Sequence, residues 1–205
     1  MASHAAAGVG LRERKKLQTR ERIRAAAAEL FTRHGYAAAT MRQIANRAHV
    51  GLGTLFNYAA DKRDLVFLIF NEELNAMTDV ALAAPRAGQP LLRQLLAVFR
   101  VHYRWLGAKP ALARILLQEL TFYSSGKQAA TFHGIRKRLI DGIESLVRRA
   151  QRSDQGFSRE KPELIARHIF FVYSASLRWW IADPKPDPAK GLADLKRLLK
   201  LVAGP

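Results

Sequence analysis

Residues 40–58 read TMRQIANRAHVGLGTLFNY. Two short runs with helical spacing flank a small turn. In the first run Met41, Ile44, Ala45 and Ala48 recur on one face. Thr40 and Gln43, three residues apart, make a capping box in which hydroxyl and amide each satisfy an orphan backbone N–H. In the second run Leu52, Leu55, Phe56 and Ala59 share one side at about 100° per residue. Thr54 and Asn57 fall opposite, with Gly53 and Tyr58 at the margins. Between the runs His49-Val50-Gly51 reads as a tight reversal. Such a turn needs positive φ, which glycine adopts cheaply and histidine tolerates. Val50 plugs the turn from inside, and Gly51 serves as the next N-cap.

A helix this short that buries one flank leaves its other flank for contact. Two such helices around a tight turn form a helix-turn-helix unit, whose second member enters the major groove while the first crosses the backbone. Asn57 suits adenine N6 and N7. Thr54 and Tyr58 suit phosphate or a thymine methyl, and Gly53 admits close approach of the duplex. Leu52 opens this reading helix. Thr40 and Arg42 are expected at phosphates, as is Lys62 beside a helix N-terminus. Singly, each of these residues reads better as a cap, packing or surface charge. Together on one face they point to DNA.

Working outward, Ile23, Ala26, Ala27, Leu30 and Phe31 form an earlier helix closed by Gly35. Residues 1–16 read as a flexible basic arm, with Arg12, Arg14, Lys15 and Lys16 near phosphates. Asp61 restarts a helix as N-cap. Its opening run Leu65 to Phe70 is apolar on all sides and must be covered. Residues 17–65 are read as the DNA-binding domain and 66–205 as a second helical domain. The pattern is helical nearly throughout, so the fold class is all-α.

Composition bounds the alternatives. The chain has 205 residues, no cysteine and a formal net charge of +17. Disulfides, thiolate metal sites and a cysteine nucleophile are excluded. The basic excess is spread along the chain and attracts polyanions. No apolar run approaches the roughly 20 residues of a membrane span. The N-terminus places its apolar part before its charges, opposite to a secretory signal; the expected location is cytoplasmic, with no membrane partner. No phosphate loop, nucleotide fingerprint or hydrolase motif is present, so no catalytic residue is assigned. His102, His133 and His168 lack metal-ligand spacing. No metal and no cofactor are expected. The main rival is a non-specific architectural DNA binder, which would show salt dependence without sequence preference.

The stretch RERIRAAAAELFTRHGYAAATMRQIANRAHVGLGTLFNYAADKRDL, Arg20 to Leu65, resembles the DNA-binding domain of TetR-family transcriptional regulators. Ile23, Ala26, Ala27, Leu30, Phe31, Gly35, Tyr36, Thr40, Ile44, Ala45, Ala48, Val50, Gly53, Thr54, Leu55, Phe56, Tyr58, Lys62 and Leu65 fit its pattern. His49 stands where that family usually has glycine, which strains the turn. Gly51 replaces a serine cap. Ala59 replaces a core phenylalanine, and Phe67 or Phe70 is expected to supply the volume.

The resemblance implies a ligand-responsive repressor that binds a near-palindromic double-stranded DNA operator as a homodimer. It implies a small-molecule effector in the second domain. Phe99, His102, Tyr103, Leu106, Leu116, Phe122, Tyr123, Phe170 and Trp179 are the candidate pocket residues. It also implies dimerisation through the last two helices, residues 163–203. The stretch ELIARHIFFVYSASLRWWIA, residues 163–182, is apolar on nearly every side and needs a partner beyond its own core.

Overall fold

The computed structural model describes residues 10–153 and 158–203. Among them the chain forms α1 (Leu11–His34), α2 (Met41–Arg47), α3 (Leu52–Tyr58), α4 (Lys62–Ala83), α5 (Leu91–Ala108), α6 (Pro110–Glu119), α7 (Ala129–Arg152), α8 (Pro162–Ile181) and α9 (Pro188–Ala203). No strand occurs among the described residues. The all-α reading is correct.

Local signals account for most boundaries. Thr40 caps α2 by accepting the Gln43 backbone N–H at 3.2 Å, and the Gln43 side chain accepts the Thr40 N–H at 2.9 Å. Gly35 closes α1 at φ 79°. Asp61 caps α4 by accepting the Asp64 N–H at 2.7 Å. Pro110 and Pro162 occupy the first turns of α6 and α8, where the missing N–H costs nothing.

The basic arm needs correction. Leu11 to Lys16 are not an arm but the first turns of α1. Leu, Arg, Glu and Lys are good helix formers, and Glu13 lies where the helix dipole favours an acid. Residues 1–9 of the expected arm lie outside the described residues. The tight turn also differs in detail. Its positive φ, 53°, is carried by His49, while Gly51 is extended at φ −64° and caps α3 without a side chain.

Ile23, Ala27, Phe31, Ile44, Ala45, Leu55 and Ala59 are buried together with the start of α4. Phe56 departs from its expected core place and is 41% exposed, because Leu55 and Ala59 fill the inner line of α3. Ala59 is buried, as expected. Phe67 and Phe70 share its buried cluster and make aromatic contacts of their own. The Phe67 ring stacks on Tyr123 and tilts against Phe132, and Phe70 meets Trp105 edge-on. Both are committed to the larger lobe.

Leu65 to Phe70 are buried on every side, as their pattern requires. The expected boundary between residues 65 and 66 therefore falls inside one continuous helix. Ion pairs also bridge this region. Arg20 meets Glu72 at 2.6 Å, and Glu73 receives both Arg24 at 3.3 Å and Lys109 at 3.1 Å. In the larger lobe α5 and α9 run antiparallel: Gly107, near the end of α5, abuts Pro188 at the start of α9.

Candidate DNA-reading face and effector cavity

Thr40, Arg42, Gly53, Thr54 and Asn57 are exposed, whereas Leu52, Tyr58 and Lys62 are half-buried. The helix that buries Leu55 thus leaves Thr54 and Asn57 in solvent. The marginal residues have internal partners. The Tyr58 hydroxyl donates to the Lys16 carbonyl at 3.2 Å, which ties the end of α3 to the start of α1. The Lys62 ammonium donates to the Ala37 carbonyl at 3.0 Å and sits 4.7 Å from the centre of the Tyr36 ring.

Thr54, Asn57 and Tyr58 border a depression of about 540 Å³ shared with Lys16, Arg20 and Lys127. Lys127 escaped the sequence reading because it comes from a loop some seventy positions away. That loop is held in place by Asp64. One carboxylate oxygen accepts the Ala60 and Lys127 backbone N–H groups at 2.8 and 2.9 Å. The other accepts the Gln128 N–H at 3.0 Å and the Tyr123 hydroxyl. Burial and this bond to a carboxylate together hold the Tyr123 phenol well above its usual pKa. Gly126, at φ 135°, lies so close that a Cβ would stand 2.6 Å from the Asp64 oxygen. From the same loop the Gln128 amide donates to the Tyr58 carbonyl at 3.0 Å. Arg63 adds bonds to the Glu119 carbonyl at 2.8 and 2.6 Å and another to Thr121.

A cavity of about 340 Å³ opens among α4 to α8. Leu106, Leu116, Phe132, Ile135, Leu139 and Leu177 give it an apolar wall. Of the nine residues expected around an effector, His102, Leu106, Leu116, Phe122 and Phe170 line it. The other four do not. Phe99 is packed face to face on Tyr173 at 4.3 Å. Tyr103 is buried, bonded to Ser176 at 3.0 Å and packed on Trp180. Tyr123 is spent on Asp64 and Phe67. Trp179 is 88% exposed, because its neighbour Trp180 takes the inward position. Met77, Thr78, Arg136, Ser174 and Arg178 also line the cavity and were not anticipated.

His102 is the polar residue of most consequence there. It is buried, and burial lowers its pKa to about 4, so the ring is neutral near pH 7. Nδ1 lies 3.1 Å from the Val98 carbonyl, a pure acceptor, which assigns the proton to Nδ1. Nε2 is then a lone pair with no partner among the described residues. Such a buried acceptor calls for a donor from a ligand or water. Phe122, at φ 58° and 91% exposed, stands at the rim. It directly precedes Tyr123, so the cavity rim and the Asp64 loop are one piece of chain. Among the described residues no cluster fits a metal ion, and no helix is long and apolar enough to cross a membrane.

Comparison with known proteins agrees with this geometry. The profile of the family described as bacterial regulatory proteins, tetR family, matches residues 23–69. The HTH-type transcriptional activator FasR of Mycolicibacterium smegmatis is 21% identical over 169 residues, 82% of this chain and 75% of FasR. Among solved structures, Thermus thermophilus FadR, a TetR-family repressor in complex with lauroyl-CoA, superposes with a TM-score of 0.66. It is 26% identical, over 88% of this chain and 92% of that one. Bacillus subtilis FadR in complex with stearoyl-CoA has a TM-score of 0.69 at 20% identity, over 90% and 97% of the two chains. The helix-turn-helix residues, the all-helical lobe and these likenesses agree: residues 23–69 match the tetR family of bacterial regulatory proteins, and over most of its length the chain is similar to TetR-family transcriptional regulators.

Proposed function

We propose that this regulator is a ligand-responsive repressor that binds a near-palindromic operator as a homodimer. The observation that carries the proposal is the division of α3, with Leu55 buried and Thr54 and Asn57 in solvent. In the proposed roles Asn57 reads a base edge and Thr54 a phosphate or thymine methyl. Thr40 and Arg42 hold the backbone, while Leu52, Gly53, Tyr58 and Lys62 set how closely the helix seats. The reading head is α1 to α3, and α4 carries the chain into the effector lobe.

The proposed dimer face is an apolar stripe within residues 163–203. Leu164, Phe171 and Trp179 recur at seven and eight positions along α8 and are exposed, Phe171 by 60%. Leu198 and Leu201 continue exposed apolar surface on α9. A stripe of this kind on a monomer points to a partner, and a two-fold axis would pair two reading heads with two half-sites.

The proposed effector has an apolar body and one hydrogen-bond donor placed for His102 Nε2. The wall of the cavity suits an acyl chain, and two structural neighbours are complexes with acyl-CoA. The proposed route to DNA is the strand of chain from Phe122 to Gln128. Contact at Phe122 shifts Tyr123 and the Asp64 cradle, and Gln128 passes the shift to the Tyr58 carbonyl on α3. An effector acts only through its different affinity for the two states. Thermal unfolding with lauroyl-CoA and with free coenzyme A tests the effector class. Stabilisation by the acylated form alone is expected. No shift with acyl-CoA of any chain length would remove the acyl reading.

A further inference from the structure

Arg93, Arg100 and Arg104 form a row on α5 that neither the DNA-reading face nor the effector cavity uses. At about 100° per residue the three lie within 40° of one another and on the opposite side of α5 from His102. They border a groove of about 820 Å³ between α5 and α9, completed by Arg86, Lys196 and Lys200. No acidic residue lines it. All six cations are exposed, and among the described residues none is held in an ion pair. Other surface arginines, such as Arg20, Arg24, Arg138 and Arg148, are matched with carboxylates, whereas here six unpaired cations converge on one groove. Six unmatched like charges repel one another in the free protein, and an anionic partner relieves that repulsion.

The shape and lining select among anions. The floor is aliphatic, with Leu92, Leu96 and Val101, and the groove has no aromatic residue on which a base would stack. The trough between two packed helices, whose axes lie about 8–10 Å apart, is too narrow to seat a DNA duplex. Lys196 and Lys200 sit on the opposite side of α9 from Leu198 and Leu201, so the proposed dimer face leaves the groove open. From Arg93 to Arg104 the row is roughly 16 Å long at 1.5 Å per residue, about three helical turns. Arginine guanidinium groups pair two-pronged with carboxylates. We propose that the α5/α9 groove is a docking site for an acidic, amphipathic protein segment, whose carboxylates meet the two cationic rows while its aliphatic side chains rest on the floor.

The test uses the full-length protein and a fluorescein-labelled helical peptide of Glu and Leu, three turns long, with a matched peptide carrying Gln for Glu. Binding is followed by anisotropy at physiological salt. One variant reverses the groove, Arg93→Glu with Arg100→Glu and Arg104→Glu. A control reverses equal charge at the end of α7 and the start of α8, Arg149→Glu with Arg152→Glu and Lys161→Glu; all six positions are exposed. The groove variant is expected to bind the Glu peptide about tenfold more weakly or worse, and the control within about twofold of the parent. The Gln peptide is expected to bind poorly to every form. Equal losses in both variants would reveal a diffuse field and overturn the proposal. So would equal binding of the Gln peptide, or no binding at all. A random-sequence DNA duplex that loses affinity only in the groove variant, while the Glu peptide does not, would assign the groove to nucleic acid instead.

Discussion

The Tyr123 hydroxyl and the Asp64 carboxylate are hydrogen-bonded although 59 positions separate them, and the bond is wholly buried. Asp64 lies in the first turn of α4, directly after the DNA-reading unit, and Tyr123 follows the rim of the effector cavity. With the Lys127 and Gln128 N–H groups on the same carboxylate, the cavity rim is fastened to the base of the reading head.

Asp64→Ala leaves a buried hydroxyl and three backbone N–H groups without their acceptor. A stability loss of about 3–5 kcal/mol is expected, measured by chemical denaturation. Asp64→Asn keeps the volume and should cost less. In the Asn variant effector affinity is expected to hold while effector-driven release from DNA weakens. Release equal to that of the parent would show that the signal travels elsewhere. Gly126→Ala should resemble Asp64→Asn, since a methyl group there meets the carboxylate at φ 135°.

Asn57→Ala is expected to lower discrimination at one base pair of each half-site by about 1–3 kcal/mol. Arg42→Ala is expected to weaken all sequences alike and to flatten the salt slope by about one unit. Competition binding with single-base operator variants separates the two. Equal, sequence-blind losses would overturn these roles.

His102 sets a pH dependence. Its folded pKa of about 4 lies below the unfolded value of about 6.5, so the unfolded chain binds more protons between these limits. Stability is complete above the unfolded value and falls as pH drops through the window. Between pH 7 and pH 5 the loss from His102 alone is about 2 kcal/mol. His102→Gln should remove that part of the slope in denaturation curves taken at the two pH values. The same substitution should weaken an effector that donates to Nε2.

Trp179→Asp places a charge on the exposed apolar stripe of α8 and touches no core position. The expected result is a folded monomer at micromolar concentration by sedimentation velocity, with operator affinity strongly reduced. An intact dimer would move the interface away from residues 163–203.

The sequence disclosed what depends on neighbours along the chain. The Thr40–Gln43 box, the Asp61 cap and the burial of Leu55 opposite Thr54 and Asn57 all follow from spacing over a few residues. What it hid depends on distant packing. Helix α8 carries apolar residues on nearly every side, so no periodicity tells Trp179 from Trp180, and only the fold turns one outward and the other onto Tyr103. A charged run such as Leu11 to Lys16 reads alike as a coil or as an exposed helix. Asp64 looked like an ordinary acid in a first helical turn, because three of its four partners arrive from Tyr123, Lys127 and Gln128. The cavity was half visible for the same reason. Its aromatics could be counted, but Phe99, Tyr103 and Tyr123 are spent on core partners that no local pattern marks.

The central claim is that the exposed face of α3 reads base sequence, and selection of bound duplexes from a random DNA pool tests it most directly. The account predicts enrichment of one inverted repeat with half-sites about one helical turn apart or a multiple of it, lost selectively at one position in Asn57→Ala. Retention of DNA with no enriched sequence would contradict it.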